Sequence, residues 1–264
     1  QDEFCANTYC WIATIYDQSG KGNHITQAPR GPAGTPMVMG GFNALPVADW
    51  APVTIMGHKV YGTFIVPGMG LRDDDPVGTA VDDQAEGQYW VINGHHYNGG
   101  CCFDYGNGEI SSRDDGNGTM ETTYFGNATN WYRGLAPGPW IMTDQENNLV
   151  GCVNPDGSKD CPDLPIISWR FVTATADGEP HHWRTMGGDA QRGELSVQFD
   201  GGRVNNTYDP KRKQAAIILG NGGENSNGSQ GTFFEGAMSG GKTLPTLEVN
   251  EMILANIVAA KYDV

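Results

Sequence analysis

The chain has 264 residues, with 38 Gly, 15 Pro, 18% charged side chains and 10% aromatics. That is enough for one large all-β domain or two small ones, too loop-rich for long helices and too aromatic for a disordered acidic tail. A formal charge of −15 and a pI near 4.6 argue against nucleic acid and membranes as partners; a neutral ligand such as a sugar is compatible with them.

The sequence opens at Gln1 with no initiating Met and no signal peptide, and reads as a processed or trimmed product. No segment is apolar for long enough to span a bilayer. Short apolar runs separated by Gly, Asn, Asp and Pro clusters predict strands over Cys10–Tyr16, Lys59–Val66, Gln88–Ile92, Trp140–Thr143, Ile166–Thr175, Leu195–Phe199, Ala215–Leu219 and Gly231–Met238. Several are continuous rather than alternating, as expected where both faces are covered. One helix is predicted over Thr246–Tyr262, with Thr246 as N-cap and Val249, Met252, Ile253, Ile257 and Ala260 on the buried face. With no repeats and no linker, the expectation is an all-β fold: a single β-sandwich over residues 1–264, closed by one C-terminal helix.

The six cysteines fall into three local pairs, Cys5 with Cys10, Cys101 with Cys102, and Cys152 with Cys161. An even count at short separations suggests three disulfides and an oxidised, secreted, extracellular protein. Zinc is the competing reading, but there is no C-x-x-C pair and the ligands would be scattered. The adjacent pair is the unusual one. Neighbouring Cα atoms are about 3.8 Å apart across a trans peptide, short of the roughly 4.4–6.8 Å that disulfides span, so joining these sulfurs would strain or twist the peptide between them. Free thiols at Cys101 and Cys102 are the alternative. Sequons at Asn117, Asn127, Asn205 and Asn227 are candidate glycosylation sites. His95–His96 and His181–His182 are poor ligand pairs, because adjacent strand residues face opposite ways; no metal is expected.

Two segments bring carboxylates to strand ends. In WIMTDQENNL, Asp144 and Glu146 are two apart, a spacing that puts both on one face of a strand. In AIILGNGGENSNG, an apolar strand runs into glycines and presents Glu224 on a loop. Glycoside hydrolysis needs an acid and a base or nucleophile astride the bond. Yet most of the 31 acidic residues must be solvated surface groups, and spacing alone does not separate these three from the rest.

The segments IYDQSGKGNH, CCFDYGNGE, WIMTDQENNL, GGENSNGSQGTFFEG and NIVAAKYDV occur in that order from near Gln1 to Val264. Together they resemble the catalytic domain of family 54 α-L-arabinofuranosidases. The resemblance implies a β-sandwich of concanavalin A or jelly-roll type that removes terminal arabinofuranosyl units from arabinan or arabinoxylan side chains with retention of configuration, without a cofactor. It implies Glu146 as nucleophile, with Asp144, Asn147 and Gly223 holding the sugar. It also implies a vicinal Cys101–Cys102 disulfide as part of the sugar-binding surface, and Trp131 as an aromatic lining the pocket. Tyr105, Asp104 and His96 flank the cysteine pair and are further lining candidates.

Glu224 stands where the family form carries an Asp as general acid/base. It bears the same group on a longer arm, so proton transfer remains available if the backbone recedes, and the change also fits a different furanoside. Relative to the family, an N-terminal segment and the C-terminal arabinose-binding β-trefoil are expected to be missing, the former staying associated as a cleaved partner. Cys152 and Cys161 read as an added loop staple. The expected partner is an arabinose-containing plant polysaccharide or oligosaccharide. The competing functions are a lectin-like carbohydrate-binding protein without turnover, and a hydrolase for another furanoside such as a galactofuranoside.

Overall fold

The structure, a computed structural model, describes residues 1–30, 41–204, 208–241 and 244–264. Two antiparallel sheets dominate, their strands numbered along the chain. The larger runs β1 (Thr14–Ile15), β2 (Ile25–Gln27), β6 (Leu71–Asp73), β17 (Ala216–Leu219), β8 (Asp104–Gly108), β9 (Glu121–Gly126), β11 (Trp140–Asp144) and β12 (Leu149–Val150) from edge to edge. The smaller runs β16 (Ser196–Gly202), β15 (His182–Asp189), β14 (Phe171–Glu179), β7 (Ala85–Asn93), β18 (Gly231–Gly241) and β5 (Thr63–Ile65). A hairpin of β3 (Pro52–Ile55) and β4 (His58–Tyr61), and a parallel pair of β10 (Arg133–Gly134) with β13 (Asp160–Cys161), complete the strands.

The sheets stack face to face. Ile25, Leu71, Phe125, Ile141, Ile217 and Leu219 from one meet Ile65, Trp90, Ile92, Val172, Ala174 and Phe233 from the other in a single apolar core. Period-two alternation sends the intervening residues outward. On the smaller sheet these include Val91 and Phe171, which a helix covers. Both faces of β7 and β14 are therefore buried, which explains their continuous apolar runs.

That helix, α1 (Leu247–Ala259), is capped as predicted: Thr246 Oγ1 accepts from Val249 N at 3.2 Å. Its buried face matches the prediction in part, with Ile257 buried and Ile253 and Ala260 packed against the same cluster. Asn250, Leu254 and Ile257 point inward, whereas Met252 is 57% and Val249 38% exposed. A polar residue opens the buried stripe: Asn250 donates to Asp177 Oδ2 at 2.8 Å, a contact that hydropathy does not reveal.

The predicted strands are present with shifted bounds. Cys10–Tyr16 contracts to β1, Lys59–Val66 divides into β4 and β5, and Ile166–Thr175 moves forward to β14. β8, β9 and β15 were not predicted. They are rich in Gly, Thr, Asp and Asn, yet lie inside the sheets. In β15, a Cβ on Gly187 would stand 2.4 Å from Ile141 Cδ1, and one on Gly188 2.9 Å from Leu254 Cδ2. Only glycine lets the sheet approach its neighbours on both faces there.

Three disulfides join Cys5 to Cys10, Cys101 to Cys102 and Cys152 to Cys161. No helix among the described residues is long and apolar enough to cross a membrane. Asn117, Asn127 and Asn227 are all half-buried, and Asn227 Nδ2 donates to Asn43 Oδ1 at 2.8 Å; Asn205 lies outside the described residues.

Candidate active site

The segments flanking β8, β11 and β17 converge on one cavity of about 220 Å³, lined by Cys101, Asp114, Met120, Trp131, Asp144, Glu146, Asn147, Asn148, Leu149 and Glu224. Six of the eight sequence-predicted catalytic and sugar-binding residues are in that lining. The other two lie directly behind it. Cys102 is fully buried with Sγ 3.4 Å from Asp144 Oδ2, and Gly223 is buried beside Glu224. The volume falls below the roughly 300–1,000 Å³ of pockets for drug-sized ligands, a scale suited to one sugar ring.

Asp144 and Glu146 reach the cavity by a route other than strand alternation. Asp144 ends β11, but Glu146 and Asn147 sit in the turn to β12 with φ of 77° and 57°. Two consecutive non-glycine residues in the left-handed region store strain of the kind kept at functional sites. Local hydrogen bonds hold the turn: Glu146 N donates to Asp144 Oδ1 at 3.1 Å and Gln145 N to Asn148 O at 3.1 Å. Lys211 braces it from below, with Nζ 3.3 Å from Gln145 O.

Glu224 is placed by the loop after β17. Gly220 (φ 76°) turns the chain, and Gly222 N to Ser226 O (2.8 Å) and Asn225 N to Gly222 O (2.9 Å) close the loop. The Glu224 carboxylate curls back over Gly222, where a Cβ would lie 3.0 Å from Oε2. Arg72 locks the loop from β6, donating through Nη1 to Gly223 O at 2.8 Å and Asn225 Oδ1 at 3.2 Å.

The vicinal disulfide forms the opposite wall. The Cys101–Cys102 peptide is cis and the Cα atoms are 3.0 Å apart. Cys101 Sγ faces the cavity 3.7 Å from Ser226 Oγ. Cys101, Cys102 and Asp144 present ligand atoms close together, but both sulfurs are consumed by the disulfide. Trp131 is half-buried at the rim rather than in the core.

Of the flanking candidates, Tyr105 belongs to the inter-sheet core beside Trp90 and Phe233. His96 stacks on Phe64 and bonds Thr232 Oγ1 at 2.8 Å, away from the cavity. Asp104 shares the outward face with Asp144 and stands fully buried behind it. His181 and His182 pair separately with Asp209 and Asp200.

Electrostatically the site is a cluster of carboxyls. Burial, then the charges of Glu224 and Glu109, raises Asp144 well above the carboxylate range. Burial, then Asp144 and Glu224, does the same to Asp104. Glu109, fully buried beneath the floor, is within hydrogen-bonding reach of Glu146. Burial raises both, and the contact between them raises Glu146 further while lowering Glu109, so the two carboxyls titrate as a pair. Thr119 Oγ1 contacts Glu146 Oε2 and Glu109 Oε1 together, the latter at 3.2 Å. Glu109, Thr119, Arg72, Lys211, Asp114 and Met120 were not singled out in the sequence. Glu109, Asp114 and Thr119 lie in a Gly- and Asp-rich stretch that reads as an ordinary loop.

Residues 1–263 match the family described as "Alpha-L-arabinofuranosidase B, catalytic". The chain belongs to that family. It is 51% identical over 265 residues to the α-L-arabinofuranosidase of Hypocrea jecorina, covering 100% of this chain and 52% of that protein. It is 51% identical over 263 residues to the α-L-arabinofuranosidase B of Aspergillus niger, covering 99% and 52%. The chain thus spans about half the length of the curated relatives it matches. Among solved structures, an arabinofuranosidase complexed with arabinofuranosyl-α-1,2-xylobiose superposes with a TM-score of 0.93 at 49% identity, over 100% of this chain and 54% of that one. The β-sandwich described above is therefore the α-L-arabinofuranosidase B catalytic fold.

Proposed function

We propose that this family member is a secreted, retaining α-L-arabinofuranosidase that releases terminal arabinofuranosyl residues from plant arabinan or arabinoxylan, with residues 1–264 as one catalytic unit. The observation that carries the reading is the convergence of Glu146 and Glu224, from loops about 80 residues apart, on one sugar-sized cavity beside Asp144, Asn147 and Trp131. Membership of the family and three disulfides support the activity and the extracellular setting respectively.

In this mechanism Glu146 attacks the anomeric carbon while Glu224 gives its proton to the departing oxygen. A water molecule then loses a proton to Glu224 and displaces Glu146 from the sugar. Asp144, raised well above the carboxylate range by burial, makes a polar contact with the sugar hydroxyls, and Asn147 adds a second. Trp131 and Cys101 offer apolar surface to the C–H edges of the ring. Gly223 contributes through its main chain. No step calls for a metal or an organic cofactor.

The test is release of 4-nitrophenol from 4-nitrophenyl α-L-arabinofuranoside. Wild-type protein turns the substrate over, and Glu146→Gln lowers kcat by at least about 10³-fold. Binding of arabinofuranosides without release would refute the enzyme and leave a lectin. Preference for an aryl galactofuranoside would move the substrate class.

A further inference from the structure

Glu109 follows β8 and lies under the cavity floor between the two proposed catalytic glutamates. It is completely buried. Its Oε2 receives no N–H or O–H from any described residue and rests against Gly223, where an added Cβ would stand 1.5 Å from it. Its Oε1 meets the Thr119 hydroxyl at 3.2 Å. That hydroxyl also contacts Glu146 Oε2 and lies 3.0 Å from Gly116 O. Three acceptors therefore converge on a hydroxyl that has one proton to donate. The arrangement is satisfied only if one of the two carboxyls brings a proton of its own.

Among the described residues, no cation neutralises Glu109. Burial raises its carboxyl, the contact with Glu146 lowers it, and the charge of Glu224 raises it again. Arg72 is adjacent, but its guanidinium serves Asp74, Gly223 O, Asn225 Oδ1 and the main-chain carbonyl of Glu109, not the carboxyl. A buried carboxylate without a partner takes up a proton instead. Of the pair, Glu146 lines the cavity and Glu109 does not, so the more enclosed Glu109 is the better place for the shared proton.

We propose that Glu109 is a positioning residue of the active centre: a neutral carboxylic acid that donates to Thr119 Oγ1, whose hydroxyl in turn donates to the Glu146 carboxyl, and so presents the nucleophile ionised. The proposal rests on the reading of Glu146 as nucleophile. Its proton leaves the pair in neither step. As the C1–O bond to Glu146 forms, the aglycone oxygen takes the proton of Glu224. As that bond breaks, Glu224 recovers a proton from water. Throughout, Glu109 stabilises the Glu146 carboxylate as it departs from the sugar.

Two variants and one spectroscopic readout test this. Glu109→Ala removes the donor and is expected to lower kcat on 4-nitrophenyl α-L-arabinofuranoside by about 10²-fold, the usual cost of one such donor. Glu109→Gln, with an amide donor in place of the acid, is expected to recover most of that loss. Independently of turnover, infrared difference spectra of ¹³C-glutamate-labelled protein at neutral pH should show a protonated carboxyl band that Glu109→Gln removes. Because other protonated glutamates such as Glu86 add bands of their own, the wild-type minus Glu109→Gln difference is read. A difference with no lost band would place the proton on Glu146 and overturn the proposal. So would a Glu109→Gln variant as impaired as Glu109→Ala. If the wild-type protein hydrolyses no arabinofuranoside, the nucleophile reading fails on that assay, while the infrared spectrum still decides where the proton resides.

Discussion

Gly223→Ala isolates the joint between Glu109 and the loop that carries Glu224. An ideal Cβ at position 223 lies 1.5 Å from Glu109 Oε2, 2.6 Å from its Cδ and 2.9 Å from Met120 Sδ. Ordinary contact begins near 3.4 Å, so one partner must move by about 3.4 − 1.5, or 1.9 Å, to relieve the first clash. Glu109 has little freedom to retreat. Thr119 holds its carboxyl and Arg72 its carbonyl, and the side chain is enclosed on all sides. The loop is tethered through Gly223 O to the same Arg72, but Glu224 beyond it is only half-buried. The displacement therefore falls on Glu224.

Misplacing a reacting group by about 1 Å costs on the order of 10²-fold in rate, and overpacking costs about 1–3 kcal/mol of stability. Gly223→Ala should therefore lower kcat by about 10²-fold or more and depress Tm by several degrees. Because the error is in the proposed acid Glu224, an arabinofuranosyl xylo-oligosaccharide should suffer more than the 4-nitrophenyl substrate, whose leaving group needs little protonation. Gly241→Ala, with open space where its Cβ would be, serves as the control. A Gly223→Ala protein within threefold of wild type on both substrates, at unchanged Tm, would refute the packing argument.

The helix offers a direct contrast: Leu254→Ala, at a fully buried position, is expected to cost about 2–5 kcal/mol in chemical denaturation, and the exposed Met252→Ala less than about 0.5 kcal/mol. Acid stability should depend on Glu121. Burial raises its pKa, but the charges of Arg203, Lys213 and Lys211 prevail and bring it down to about 2. With the folded value below the ordinary 4.5, this contribution of about 3 kcal/mol is complete above pH 4.5 and lost as pH falls toward 2. Raised groups such as Glu86, at about 7, act at higher pH with the opposite sign. Denaturation midpoints measured across that acid window should fall steeply in the wild type and less so in Arg203→Met.

The parts of the molecule legible in the sequence are those where local pattern and burial agree. Continuous apolar runs mark β7, β14 and β17 because both of their faces are covered, and short cysteine spacings gave pairs that the chain can close locally. Glu146, Glu224 and Trp131, which line one cavity, were singled out as candidates through resemblance, since spacing alone did not distinguish them from surface acids and core aromatics. What stayed hidden depends on partners distant in sequence. Asn250 turns inward because Asp177 awaits it. Gly187 and Gly188 belong to a strand because two packed layers leave no room for a Cβ. Glu109 matters because Gly223, 114 positions later, has no side chain to exclude it.

The strongly acidic composition acquires a structural meaning from the way the fold neutralises its buried acids. Around Glu121 the neutralisation is by cations: Arg203 and Lys213 both reach its carboxylate, and Lys213 also lies 3.7 Å from Glu86. Around Glu146 it is by protons, because Asp104, Glu109 and Asp144 have no arginine or lysine on their carboxyls among the described residues. A cation would fix each acid in its ionised form. Lys211 stands where the two regimes meet. Burial lowers it to about 7 despite the nearby Glu121, and its Nζ supports the carbonyl of Gln145, one residue before the proposed nucleophile Glu146. A stronger cation at that point would draw the Glu146 turn into the ionic cluster; a lysine about half charged near neutral pH holds the backbone with less of that pull.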